Sequence, residues 1–218
     1  MPFATPRSGS LRSRFAAVSL IAFAWACGGQ ARPAAGPAPA AGPRPATSVA
    51  AMQLGGQKVL VLPLQTASGV GAPRDAVTRE ILFALGERDA AAQWIDPERL
   101  RGVLRRSPGF APDPDMLPSD AFRHHQERYV QEPLAGLLRR YSALMDVRLV
   151  LIPQSAHWLP AADSTGAGVV RLAATMVDTR SGNVVWWGEA DGASAPQPGP
   201  AAVATAAAAL AGRMVAAR

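Results

Sequence analysis

A single cysteine, Cys27, stands directly after an apolar stretch of 12 residues, Phe15 to Ala26. That stretch follows a segment, Met1 to Arg14, carrying Arg7, Arg12 and Arg14 and no acid. A basic zone, a short apolar zone and then small residues form the layout of a secretory signal. Spanning the hydrocarbon core as a helix takes about 20 residues, so the stretch reads as a cleaved signal over residues 1–26 and not as a permanent anchor. The folded part of the chain must then be built from the residues after Ala26, in an exported compartment.

Cleavage after Ala26 would leave Cys27 at the new N-terminus. It has no partner for an intramolecular disulfide, and an isolated thiol is a liability where disulfides form. The Ala26-Cys27 junction resembles the lipobox of bacterial lipoproteins, although Ala24 stands where that family usually carries a larger aliphatic residue. The resemblance implies acylation of Cys27 and attachment to a membrane through the lipid. Gly28, in place of an aspartate after the cysteine, resembles the outer-membrane class, with the folded domain facing the periplasm. Residues 27–52 then form a Pro/Ala/Gly-rich tether. With Pro33, Pro37, Pro39, Pro43 and Pro45 and almost nothing to bury, this segment is expected to stay extended and mobile.

The formal charge of +6 invites a nucleic-acid reading. Removing the three signal arginines from 22 basic residues leaves 19 against 16 acidic ones, a net of +3. Export also removes nucleic acid as an expected partner. The remainder, 53–218, has the length of one domain.

Within it, Lys58 to Leu64 is a short, partly β-branched apolar run and reads as a buried central strand. Asp75 offers a cap to a helix with Val77, Ile81, Leu82 and Leu85 at helical spacing, ending near Gly86. Gln93-Trp94-Ile95 is a second short strand. Asp96-Pro97-Glu98 opens a helix that Ser107-Pro108-Gly109 stops. Its Arg99, Arg101, Arg105 and Arg106 are expected on a solvated face. Ser119 to Glu132 reads as helical, and Leu134 to Met145 as a strongly amphipathic helix. Val147 to Pro153, Val169 to Asp178 and Asn183 to Ala190 read as strands, the last two joined by a hairpin turn at 178–182. Ala201 to Arg218 reads as an Ala-rich closing helix. The order predicts an α/β fold: a single-domain sandwich of a mixed five-stranded sheet with helices. Its first two strands should pair in parallel through a right-handed crossover, and its last three form an antiparallel meander.

Three stretches resemble the compact periplasmic α/β modules of the curli-secretion channel subunit, of the lipoprotein activators of penicillin-binding proteins, and of the amino-terminal domain of the Tol-system propeller protein. They are Lys58 to Gly69, then Val77 to Leu82 leading through Gln93 to Pro97 into Leu100 to Leu104, and finally Val170 to Leu172 with Val177 to Trp186. The resemblance implies a module that docks onto an envelope protein. The loop expected from Ala156 to Gly168 leaves no room for the long membrane-inserting hairpins of the channel branch.

No residue set suggests catalysis or a cofactor. His124 and Glu127 share a helix face at i, i+3, with His125 beside them, but two ligands do not make a metal site. There is no nucleophile elbow and no phosphate loop, and Asp113, Asp115, Asp163 and Asp178 sit where capping and turn duties explain them. The expected function is that of a lipid-anchored, partner-binding assembly or accessory module. An envelope enzyme acting on glycan or peptide, or a structural outer-membrane lipoprotein, are the alternatives. Side chains alternate along a strand, so Trp186 is expected in the core with Val184 and Ala190. Trp187 should face outward with Glu189, beside Arg171 of the preceding strand, as a partner-binding surface.

Overall fold

The computed structural model describes residues 50–66, 68–118, 128–161 and 166–216, apart from the side chain of Met116. Cys27, the signal, the tether up to residue 49, His124, His125, Glu127 and Asp163 lie outside the described residues.

Among the described residues, the regular segments in chain order are β1 (Lys58–Val61), α1 (Arg74–Arg88), β2 (Gln93–Ile95), α2 (Pro97–Arg106), a 3-10 turn (Pro114–Met116), α3 (Leu134–Met145), β3 (Leu149–Pro160), β4 (Gly168–Asp178), β5 (Asn183–Asp191) and α4 (Pro200–Met214). The five strands form one sheet in the order β2-β1-β3-β4-β5. β1 runs parallel to both β2 and β3, and β3, β4 and β5 form the antiparallel meander. The chain is therefore an α/β fold with a mixed, open five-stranded sheet.

Helices cover both sheet faces. The first face packs Val59, Val61, Leu151, Leu172 and Met176 against Val77, Ile81 and Leu85 of α1 and against Val203, Ala207, Leu210 and Met214 of α4. Alanines let α4 approach the sheet closely. At Gly192, just past β5, a Cβ would lie 2.6 Å from Thr205 Oγ1 and 2.7 Å from the Ala206 backbone nitrogen, so any side chain there would push α4 away. The second face packs Leu60, Leu62, Val150, Ile152 and Val177 against Leu100 of α2 and Leu134, Leu138, Tyr141 and Met145 of α3.

The local chemistry explains most boundaries. Asp96 accepts a hydrogen bond from the Glu98 backbone N–H at 2.7 Å, and Pro97 occupies the first helical turn, so α2 starts where its cap dictates. Asp75 is not a cap: α1 starts one residue earlier, after Pro73, and Asp75 lies in its first turn. Gly86 sits inside α1, which runs on to Arg88. α4 ends at Met214 because Val215 leaves the helix to pair with Met52. Met52 donates its N–H to Met214 O at 2.8 Å and accepts from Ala216 N at 3.0 Å.

Three further expectations are corrected. Residues 128–132 are not helical: Val184 N–H donates to Arg128 O and Val130 N–H to Gly182 O, so this segment runs along the start of β5. The stretch Ala156 to Pro160 is strand and not loop, because β3 continues past a bulge at Gln154 and pairs with β4 out to Pro160 opposite Gly168. Arg101 is not on a solvated face. Its guanidinium makes two hydrogen bonds to Asp115, at 2.9 and 2.7 Å, and reaches Glu98 at 2.5 Å and Asp75 at 3.2 Å. The side chain keeps 15% exposure and ties α1, α2 and the 3-10 turn together.

Candidate docking face

The helical cover of the second face is partial. Its buried apolar layer ends at Ile152 on β3 and Val177 on β4, and no described helix contributes to it beyond those residues. The rest of that face belongs to the outer half of the meander, where the cross-strand register places His157 opposite Arg171, Arg171 opposite Asp191, Ala173 opposite Glu189, and Thr175 opposite Trp187. Arg171, Glu189 and Trp187 therefore share one surface.

Arg171 binds Asp191 through two hydrogen bonds, Nε to Oδ1 at 2.6 Å and an Nη2 donor to Oδ2 at 2.7 Å, in the fork geometry that matches a carboxylate. Glu189 lies 3.9 Å from the same guanidinium. Arg171 holds the Asp191 carboxyl below its ordinary range against the opposing effect of burial, and Asp191 raises the guanidinium in turn. The two strand ends thus carry a fixed, charge-matched cluster whose members remain part-exposed, Arg171 at 39% and Asp191 at 42%. The expected strand end at Ala190 omitted Asp191. Its position two residues beyond Glu189, on the same parity, was the available signal.

The adjacent tryptophans divide as alternation requires. Trp186 is fully buried in the first-face core, whereas Trp187 is half-buried on the second face opposite Thr175. Gln154 donates from Nε2 to Thr175 Oγ1 at 2.9 Å, so the aromatic stands beside a satisfied polar pair. Val184 does not accompany Trp186. A bulge at Val185 shifts the register, which pairs Met176 with Trp186 and Val177 with Val184, so Val184 falls on the second face and Val185 packs against the first-face core. One extra residue reverses the parity of everything before it.

The loop carboxylates act structurally. Asp113 accepts from Asp115 N–H at 3.0 Å, and Asp178 accepts from Arg180 N–H at 3.0 Å while binding Arg148. Hydrogen bonds from Arg148 hold the Asp178 carboxyl low, against the effect of burial. Among the described residues no group of three or more His, Cys, Asp or Glu side chains is arranged to hold a metal ion, and no helix is long and apolar enough to cross a membrane.

No family model matches the chain, and no curated protein matches it. Solved structures similar to it include the PelC dodecamer from Paraburkholderia phytofirmans, at 14% identity, TM-score 0.47, and coverage of 78% of this chain and 98% of that one. The C-terminal domain of LpoB from Salmonella enterica is similar at 13% identity, TM-score 0.41, covering 66% and 85%. A lipoprotein from Neisseria meningitidis is similar at 14% identity, TM-score 0.39, covering 62% and 81%. At such identities the likeness is one of fold alone.

Proposed function

We propose that the chain is a lipid-anchored accessory module of the cell envelope, held through Cys27 at the outer membrane with its folded domain in the periplasm, that docks a partner protein through the outer half of the meander. The observation that carries this reading is the partial cover of the second sheet face. A half-buried aromatic, Trp187, lies there beside the charge-matched cluster of Arg171, Glu189 and Asp191. Aromatic and arginine side chains are the usual anchors of protein interfaces.

The docking half of the proposal is tested by crosslinking in the native envelope and quantifying the captured partner. Trp187→Ala is expected to lower capture by roughly 30-fold, the equivalent of a ~2 kcal/mol anchor. Unchanged capture would remove Trp187, and with it this face, from the interface.

The anchoring half is tested separately. In Cys27→Ser, incorporation of a labelled fatty acid is expected to disappear and the protein to leave the membrane fraction. A label that persists in Cys27→Ser, or a mature N-terminus elsewhere than residue 27, overturns the anchor.

A further inference from the structure

At one end of the sheet, Val59 of β1 lies beside Leu149 of β3, Leu149 opposite Asp178 of β4, and Asp178 opposite Asn183 of β5. The starts of β1, β3 and β5 and the end of β4 therefore meet there. A cleft of about 380 Å³ opens at this end between α3, the entry to β3 and the β4–β5 turn. Small-ligand sites occupy ~300–1,000 Å³, so the cleft has room for one. Its described lining residues are Arg139, Ser142, Val147, Arg148, Thr179 and Arg180, with no acid among them. The three arginines come from three different elements: α3, the residue before β3, and the turn after β4.

Each guanidinium keeps donors to spare, since an arginine carries five N–H groups. Arg148 spends Nε, at 2.9 Å, and Nη2 on Asp178 Oδ2, and its side chain remains 60% exposed. Arg139 pairs with Glu132 through Nη2 alone. Arg180 is exposed, and its side chain has no carboxylate partner among the described residues. Asp178 does not answer the cleft: its side chain is 6% exposed, and its oxygens already accept from Arg148 and from the Arg180 backbone N–H at 3.0 Å. The hydroxyls are committed too. Ser142 Oγ donates to Arg139 O at 2.9 Å, and Thr179 Oγ1 donates to Arg148 O at 3.0 Å. The Thr179 N–H reaches the same Arg148 oxygen at 3.0 Å, which ties the turn bearing Arg180 to the strand entry bearing Arg148. The cleft thus offers guanidinium donors on a braced frame.

Three like charges around one cleft repel each other, and an anion between them removes that cost. A planar carboxylate meets one guanidinium fork along one edge. A phosphate monoester has three terminal oxygens pointing in different directions, which suits forks arriving from three elements. We propose that the cleft between Arg139, Arg148 and Arg180 binds a phosphate monoester, presented either by a lipid headgroup or by a free ester. The chain enters the domain at this same end through Lys58, which brings a membrane into consideration as the source. The lipid source rests on the anchoring through Cys27 proposed above, and the free ester does not.

The test uses the full chain carrying Cys27→Ser, so that no acyl chain contributes to binding. Glycerol phosphate is titrated calorimetrically, and vesicles of phosphatidylcholine with and without phosphatidic acid are sedimented with the protein. Binding to glycerol phosphate and to the phosphatidic acid vesicles is expected, and Arg180→Ala should weaken both at least 10-fold, as loss of one charge-assisted fork predicts. Arg180→Lys should recover only part of the loss. Arg106→Ala removes an exposed charge from α2, away from the cleft, and should leave binding unchanged. Melting curves that match the parent check that the variants fold. Binding only to the vesicles assigns the site to a lipid headgroup, and binding only to glycerol phosphate assigns it to a free ester and leaves the anchor at Cys27 untouched. Binding in neither arm, or equal losses from Arg180→Ala and Arg106→Ala, would overturn the site in favour of diffuse surface charge.

Discussion

Trp186→Ala is expected to lower the stability of the folded domain by roughly 3–5 kcal/mol, the range for emptying a buried aromatic site. Trp187→Ala, one residue on, should cost under about 1 kcal/mol. The Trp186 side chain has no solvent exposure and is among the largest fully buried groups, and its ring lies against Gly188, where a Cβ would come within 2.9 Å of it. The neighbouring strand and helices cannot collapse into such a void without breaking the register at the Val185 bulge. The indole N–H of Trp186 also meets no acceptor among the described residues. Trp186→Phe removes that orphan donor along with part of the ring, so it should cost less than half of what Trp186→Ala costs. Chemical denaturation of the three variants decides the matter. Equal large losses at positions 186 and 187 would show a sheet buried on both sides there, and would withdraw Trp187 from the proposed interface.

The second large effect is expected from Arg101→Ala, at about 2–3 kcal/mol near neutral pH, because it leaves Asp115 part-buried without its main partner. Burial pushes the Asp115 carboxyl up, and the hydrogen bonds and charge of Arg101 outweigh this and hold it below its ordinary 3.8. A carboxyl depressed in the folded state contributes stability that is present above its unfolded value and lost as pH falls through its folded value. The stability gap between the parent and Arg101→Ala should therefore be full at pH 7 and shrink as pH falls below about 4, toward the depressed value at which Asp115 of the folded parent takes up its proton. Arg101→Lys keeps the charge and loses the fork, so it should recover only part of the gap. Urea melts at pH 7 and pH 3 provide the measurement. A gap that does not change with pH would assign Arg101 to packing and not to charge.

Much of the fold can be read in the chain because its signals are local. The capped start of α2 at Asp96-Pro97, the three residues of β2, the apolar stripe of α3 and the run of β1 each depend on residues within one or two turns of each other. The failures share one cause, which is a distant partner. Arg128 and Val130 give up a helical pattern because the edge of β5, some fifty residues later, offers them backbone partners. Val215 leaves an Ala-rich helix for Met52. Ala156 to Pro160 carries no clean alternation, since the bulge at Gln154 shifts the phase and only pairing with β4 keeps it extended. The same limit applies at the candidate site. Alternation separated Trp186 from Trp187 and placed Arg171 with Glu189, but a bulge one residue upstream misassigned Val184. The full engagement of Arg101 by Asp75, Glu98 and Asp115 required knowing that three segments meet.

The pairing of Met52 with Met214 and Ala216 governs how the domain would respond to mechanical load. A pull applied to the chain ahead of Ala50 meets that two-bond clasp first and then Leu54, which is buried at 1% exposure. Behind it stands β1, an interior strand held in parallel register by β2 on one side and β3 on the other. Force along such a strand must slide it past both neighbours at once and cannot open its bonds one by one, as it would at an edge. Tension entering from the N-terminal side is thus delivered to the part of the sheet best braced to resist it, while the outer meander that carries Trp187 and Arg171 lies off the line of force and keeps its geometry.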